Sequence, residues 1–220
     1  LERFLVTTKG LHLKDTIWIH AASVGESAIA ENLIHYMKQH TKQNRFIITT
    51  NTYYTRDMLR ARLGKEVPVF SMPFDLSYLV RHFVGDSEFK ALVIIETEIW
   101  PNLIWHAKKQ HIPVVLVNGR ISDHTISTYR RFAPFLKNVL NHVDHIATQS
   151  EEHRKRFITI GMNYQNTTST GNIKYYRLLK NSGTAVTKND MITFGSIKEK
   201  ELDIILPVIV ALKKDSPGTL

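Results

Sequence analysis

The sequence predicts an α/β fold around a parallel sheet, and three observations predict it. Short apolar, β-branched runs alternate with helical patterns along most of the chain, the mark of successive βα units. The run ALVIIE at 91–96 is apolar almost throughout, as a central parallel strand buried on both faces requires. Between the first two runs, Ile29, Leu33, Ile34 and Met37 recur at helical spacing while Glu31, His35 and Lys38 take the other face, which describes a helix lying on a sheet.

Taken in order, strands are expected at 16–21 (TIWIHA), 45–50 (RFIITT), 68–71 (PVFS), 91–96 (ALVIIE), 113–117 (PVVLV), 144–149 (DHIATQ) and 166–170 (NTTST), with helices between them. Residues 123–141 read as a longer helix with an apolar stripe of Tyr129, Phe132, Phe135, Leu136, Val139 and Leu140, although Pro134 should kink or restart it. Its basic face carries Arg130, Arg131 and Lys137. On this reading residues 1–180 form the first domain, and residues 181–189, polar and glycine-containing, form a linker. Residues 190–220 then supply one more strand (MITFGS) and helix (IKEKELDIILPVIVALKK), the truncated opening of a second α/β domain.

Composition narrows the function classes. A chain of 220 residues, 43% of them hydrophobic, can build a real core. It has no cysteine, which excludes disulfides, thiolate nucleophiles and cysteine-based zinc sites and permits a reducing compartment. The formal charge of +9 points toward a polyanion: nucleic acid, an anionic membrane surface or a phosphorylated substrate. No run of about 18 apolar residues spans a bilayer, and the start LERFLVTT lacks a signal-peptide pattern. The first residue is not Met and the last segment stops just after a helix-like run, so a fragment at both ends is expected.

In open parallel α/β sheets, ligands bind beyond the carboxyl ends of the strands. The loops there are ASVGE (22–26), ETEIWPN (96–102), NGRIS (118–122) and TGNIK (170–174). The first turn holds only Gly25, so it lacks the G-x-G-x-x-G of a dinucleotide site, and a phosphate P-loop is missing too. Ser23 and Glu26 fit an S-x-x-E capping box. A box gives no reason for Gly25 in the first helical turn, where glycine costs roughly 1 kcal/mol against alanine, so something is expected close to the backbone there. Glu26 is thus a cap, a ligand-facing carboxylate, or both.

Glu96 and Glu98 stand two apart at the end of a buried strand and point to one side if the chain stays extended. Buried paired carboxylates are expensive unless hydrogen-bonded or used. Otherwise the strand has emerged, and they are solvated or cap the next helix, for which Pro101 fits the first position. Lys174 and Arg120 are either charge-assisted donors to a phosphate or ordinary solvated surface. The eleven histidines show no metal-binding spacing; His106, His111, His142 and His145 read as surface and strand-edge residues.

With these loops in view the chain resembles the 3-deoxy-D-manno-octulosonic acid (Kdo) transferases, which attach Kdo to the lipid A precursor in Gram-negative bacteria. HAASVGE (20–26), ETEIWPNL (96–103), NGRIS (118–122), SEEHRKRFITIG (150–161) and TGNIK (170–174) stand in that family's order and spacing, and in detail the text looks closer to chlamydial-type members. The resemblance implies the N-terminal, acceptor-binding Rossmann-like domain of a GT-B glycosyltransferase plus the first βα unit of the CMP-Kdo-binding domain. It implies inverting, metal-independent transfer of Kdo from CMP-Kdo, with no cofactor, to lipid IVA at the cytoplasmic face of the inner membrane. The hydrophobic anchor that usually precedes this point in the family is missing from the chain.

Residue by residue, the resemblance makes Glu26 the general base, Glu96 a carboxylate that supports the transition state and Lys174 a lysine with the same role. Ser23, Gly25, Glu98, Arg120 and Ser196 become substrate-binding candidates. After the first donor-domain strand the chain departs from the family, reading GSIKEKE with Lys198 and Lys200 where many members have histidine and glycine. TGNIKYY also lacks the Phe-Asp that commonly follows the lysine. Two other readings are a basic nucleic-acid-binding domain and a GT-B enzyme using another nucleotide sugar. A nucleic-acid partner is not expected, because the tyrosines and phenylalanines mostly follow core periodicity.

Overall fold

The seven expected strands form one parallel sheet in a computed structural model, which describes residues 2–5, 8, 11, 13–85, 87–175 and 202–215. In chain order the elements are α1 (Glu2–Leu5), β1 (Thr16–His20), α2 (Val24–His40), β2 (Phe46–Thr50), α3 (Tyr53–Leu63), β3 (Val69–Ser71), α4 (Ser77–Val84) and β4 (Phe89–Ile95). They continue with α5 (Pro101–Lys109), β5 (Val114–Gly119), α6 (Asp123–Arg131), α7 (Ala133–Leu140), β6 (His145–Thr148), α8 (Glu151–Thr159) and β7 (Thr167–Ser169), and a single 3₁₀ turn, Ile173–Tyr175, follows β7. The chain divides into two compact units, Leu1–Leu178 and Leu179–Leu220; in the second, helix α9 (Leu202–Asp215) is described. The expected linker at 181–189, the MITFGS strand and Ser196 lie outside the described residues.

The strand order is β3-β2-β1-β4-β5-β6-β7. The chain winds outward from β1 to β3, crosses back, and resumes with β4 on the other side of β1. The order therefore reverses between β1 and β4, and in doubly wound sheets that switch point opens a crevice at the carboxyl edge.

Alternation along the central strands fills a core on each face. Trp18, Leu92 and Ile94 join Val80, Phe83, Leu103, Ile104, Leu136 and Phe157 on one side. Their sequence neighbours Ile17, Ile19, Val93 and Ile95 join Ile29, Ala30, Ile34 and Leu59 on the other. A strand with helices on both faces has no solvated side, which is why ALVIIE reads as a continuous apolar run. The helix stripe after β1 behaves as expected: Ile29 and Ile34 are buried, with Leu33 and Met37 packed against the same core.

Three expectations are corrected. Residues 123–141 form two helices, because the chain breaks at Phe132 and restarts at Ala133 with Pro134 in the first turn. The break rotates the stripe, so Leu136, Val139 and Leu140 are buried while Phe132 and Phe135 face solvent. His106 is not a surface residue; it is buried between α4 and α5, where Nε2 pairs with the Ser77 hydroxyl at 2.9 Å. Nor do the tyrosines and phenylalanines mostly follow the core: among the described residues Phe46, Phe83, Phe89 and Phe157 are buried, but Phe4, Tyr36, Tyr53, Tyr54, Phe74, Tyr78, Phe132, Phe135, Tyr164 and Tyr175 are exposed.

Gly119 ends β5 tight against Phe157 of α8. A Cβ there would sit 2.9 Å from Leu116 Cδ2, 3.0 Å from Phe157 Cε2 and 3.3 Å from Ile146 Cγ2. Gly119→Ala is expected to cost roughly 1–3 kcal/mol by overpacking, read as a lower midpoint in urea unfolding. An unchanged midpoint would mean that the three neighbours give way freely.

Candidate active site

The loop after β1 is held by the end of β2. Ala22 O accepts from the Asn51 N–H at 3.3 Å and from the Thr50 hydroxyl at 3.2 Å. Ser23 then caps α2, its Oγ accepting from the Glu26 N–H at 3.4 Å. The Glu26 side chain turns back: Oε1 accepts from the Ser23 hydroxyl at 2.8 Å and Oε2 from the Ala22 N–H at 2.7 Å. This capping box closes one residue upstream of the usual donor.

Glu26 is only 7% exposed. Burial pushes its carboxyl above the usual glutamate range against the pull of the Ser23 and Ala22 hydrogen bonds, and the charges of Glu98 and Glu96 push the same way as burial. A carboxylate with raised proton affinity at a strand end has the character of a base.

Strand β4 stops at Ile95, and Glu96 adopts φ 62°, the left-handed region. Its N–H still donates to Val117 O at 2.9 Å, so the turn is anchored to β5. The chain does not stay extended, and the expectation that Glu96 and Glu98 share one side fails for that reason. Glu96 Oε1 lies 2.6 Å from Lys174 Nζ, an ion pair rather than an aligned hydrogen bond. Glu98 Oε2 instead accepts from the Trp100 indole N–H at 2.9 Å, with the Asn51 amide at 3.5 Å and His20 Nε2 at 3.9 Å.

Neither acid caps α5. That work falls to Asp75, from the loop after β3, whose carboxylate accepts from the Asn102 N–H at 3.0 Å and the Leu103 N–H at 2.8 Å. Pro101 does open the helix. The purely structural role available to Glu96 and Glu98 is therefore filled from elsewhere.

Lys174 is placed by Asn118, which is fully buried with φ 59°. Its Oδ1 accepts from the Ile173 N–H at 3.1 Å, and its carbonyl accepts from the Gln149 amide at 3.1 Å. Asn172 Oδ1 accepts from the Lys174 N–H at 3.0 Å. The ammonium so delivered reaches Gly25, where a Cβ would meet Lys174 Nζ at 3.8 Å and Ser23 Oγ at 4.0 Å. Lys174 is thus the nearest side chain to Gly25, yet at a distance that leaves a Cβ ordinary contact, so the protein alone does not require the glycine.

The fold thereby gathers Ser23, Gly25, Glu26, Glu96, Glu98 and Lys174 at the switch point. Arg120 is exposed nearby, tied through its backbone: its N–H donates to the Thr97 hydroxyl at 3.0 Å, and that hydroxyl donates to its carbonyl. Its side chain forms no ion pair among the described residues. Ser196 is not among them. Sequence reasoning missed His20, Asn51, Trp100 and Asn118; the signals available were a histidine opening HAASVGE and the NG dipeptide at 118–119. Among the described residues no three His, Asp or Glu converge as a metal site, and no helix is long and apolar enough to cross a membrane.

The class these features define is a Rossmann-like α/β domain with an acid–lysine cluster at its switch point. The chain belongs to the Kdo transferase family: the family model described as 3-deoxy-D-manno-octulosonic-acid transferase (kdotransferase) matches residues 1–177. A 3-deoxy-D-manno-octulosonic acid transferase of Rickettsia bellii is 33% identical over 97% of this chain and 52% of its own. The one from Chlamydophila psittaci is 27% identical over 90% of this chain and 48% of its own. The chain thus spans about half the length of these relatives. Among solved structures, UDP-GlcNAc 2-epimerase of Neisseria meningitidis bound to UDP-GlcNAc matches with a TM-score of 0.62 at 13% identity, over 93% of this chain and 63% of that one, a likeness of fold alone.

Gly25→Ala gives a test of the crevice. The methyl has room within the protein and improves helix propensity by up to about 1 kcal/mol, so the thermal midpoint is expected to hold or rise. Turnover, assayed in a protein of its relatives' full length that carries this chain, is expected to fall as the methyl fills the space beside Lys174. Unchanged turnover would show that nothing enters there.

Proposed function

We propose that this chain is the acceptor-side half of a GT-B glycosyltransferase that moves Kdo from CMP-Kdo to lipid IVA with inversion and without a metal. The observation that carries the reading is the convergence of Glu26, Glu96 and Lys174 at the switch point, with Lys174 Nζ 2.6 Å from Glu96. In the proposed reaction an acceptor hydroxyl attacks the anomeric carbon while the bond from that carbon to the CMP phosphate oxygen breaks. The hydroxyl proton passes to Glu26. Positive charge that develops on the sugar is offset by Glu96, and negative charge on the departing phosphate by Lys174. Arg120 and Ser196 remain candidates for substrate contact.

The family membership supports a sugar donor and a lipid acceptor. A bis-phosphorylated glycolipid in an anionic membrane suits the +9 charge, since each Lys or Arg near such a surface is worth about 1 kcal/mol. The exposed Tyr53, Tyr54, Phe74, Leu76 and Tyr78 lie in or just after the loops that leave β2 and β3, on the same sheet edge as Glu26, and offer apolar contact to a lipid. The test is incubation of that full-length protein with CMP-Kdo and lipid IVA in the presence of a chelator, followed by mass spectrometry of the lipid. Addition of Kdo is the expected product. Unmodified lipid alongside a competent control enzyme would reject the proposed substrates.

A further inference from the structure

The histidine that opens HAASVGE has no part in the chemistry above, yet it is the most completely buried titratable side chain at the switch point. His20 is 0% exposed. Its Nδ1 lies 3.0 Å from the Thr49 hydroxyl, which already accepts from the Trp18 indole N–H at 2.8 Å. With the hydroxyl proton donated to Nδ1, the imidazole hydrogen sits on Nε2, the arrangement that offers Glu98 a donor. Nε2 has no hydrogen-bond partner among the described residues, and the group it faces is Glu98 Oε2 at 3.9 Å. A buried N–H left without an acceptor is costly, and a closing of the pair by about 1 Å satisfies it.

We infer that His20 is a positioning residue: its Nε2–H and the Trp100 indole hold the Glu98 carboxylate at the switch point, where that charge acts on Glu26. The groups that act on Glu26, or on the two acids beside it, come from several elements. Ser23 is on its own helix start, His20 at the end of β1, Asn51 after β2, Glu96 and Glu98 after β4, and Lys174 after β7. Tyr129 of α6 also senses Glu98: burial first, then the Glu98 charge, raises its phenol above the usual range. Glu96 is neutralised by Lys174 at 2.6 Å, which leaves Glu98 as the stronger acidic neighbour of the base, in keeping with its larger push on the Glu26 carboxyl. This inference rests on the reading of Glu26 as the base.

The test is NMR titration of the Glu26 side-chain carboxyl in this chain, with variants at the two inner residues. Glu98→Gln removes the facing charge, so the Glu26 midpoint is expected to move to lower pH. His20→Asn keeps a group near Thr49 but loses the donor at the Nε2 position; Glu98 then swings toward solvent, and the midpoint is again expected to fall. His20→Gln restores a donor near Nε2 and is expected to bring the midpoint back toward the wild-type value.

A wild-type midpoint in Glu98→Gln would overturn the inference, as would His20→Gln behaving like His20→Asn. Because Glu98 sits on a half-buried loop, its variant keeps the fold, and a wild-type Glu26 midpoint there overturns the inference even if the His20 variants unfold. The base assignment fails separately, through an active Glu26→Gln protein, and that failure leaves these titrations unchanged.

Discussion

Glu26→Gln, in a protein of its relatives' full length that carries this chain, is expected to lower transfer by roughly 100- to 10,000-fold, the range for loss of a general base. Its stability is expected to hold. Glutamine can accept from the Ala22 N–H through its carbonyl and donate to Ser23 Oγ through its amide, so the cap survives. The sign of the electrostatic change agrees. The folded state binds the Glu26 proton more tightly than the unfolded chain does, so this group favours folding at low pH. That contribution is lost as pH rises through the Glu26 midpoint. At neutral pH the neutral glutamine avoids the loss, and the thermal midpoint should equal or exceed that of the parent. Full activity with an unchanged midpoint would leave Glu26 as a cap only.

Lys174→Met is expected to cost about 100- to 1,000-fold, as for removal of one group that stabilises charge in the transition state. The effect should fall on kcat more than on KM if the lysine acts on the leaving phosphate. Stability should move by no more than about 1 kcal/mol, because the lysine side chain is 43% exposed and its ion pair is well screened. A loss confined to KM would instead make Lys174 a ground-state contact.

These two residues differ in how far the sequence revealed them. Glu26 was legible because the capping box and the glycine inside it are local features. Lys174 was visible only through its company, since nothing near 174 states that the chain folds back over the start of α2. The strands were legible for a physical reason: with helices on both faces, β1 and β4 bury nearly every side chain, and such runs stand out from any helix pattern. The helix break at Phe132 followed from Pro134, but its effect on the exposure of Phe132 and Phe135 depends on packing against α5.

What stayed hidden was long-range. Asp75 caps α5 from 27 positions away, and without that bond Glu96 and Glu98 look like capping residues. The left-handed turn at Glu96 sends the two acids to different partners, Lys174 and Trp100, where an extended strand would have aimed them together. Asn118 orients the lysine loop through a bond spanning 55 positions. His20 reads in the sequence as one more strand residue, and only the fold brings its Nε2 to face Glu98.

The central claim is that the switch-point crevice between β1 and β4 takes up the acceptor. Lipid IVA titrated into this chain in detergent micelles, followed by backbone NMR shifts against empty micelles, tests it most directly. Saturable shifts centred on residues 22–26, 51–54, 96–100 and 172–174 are expected. Shifts spread over the far edge of the sheet, or none beyond those caused by the micelle, would contradict the claim.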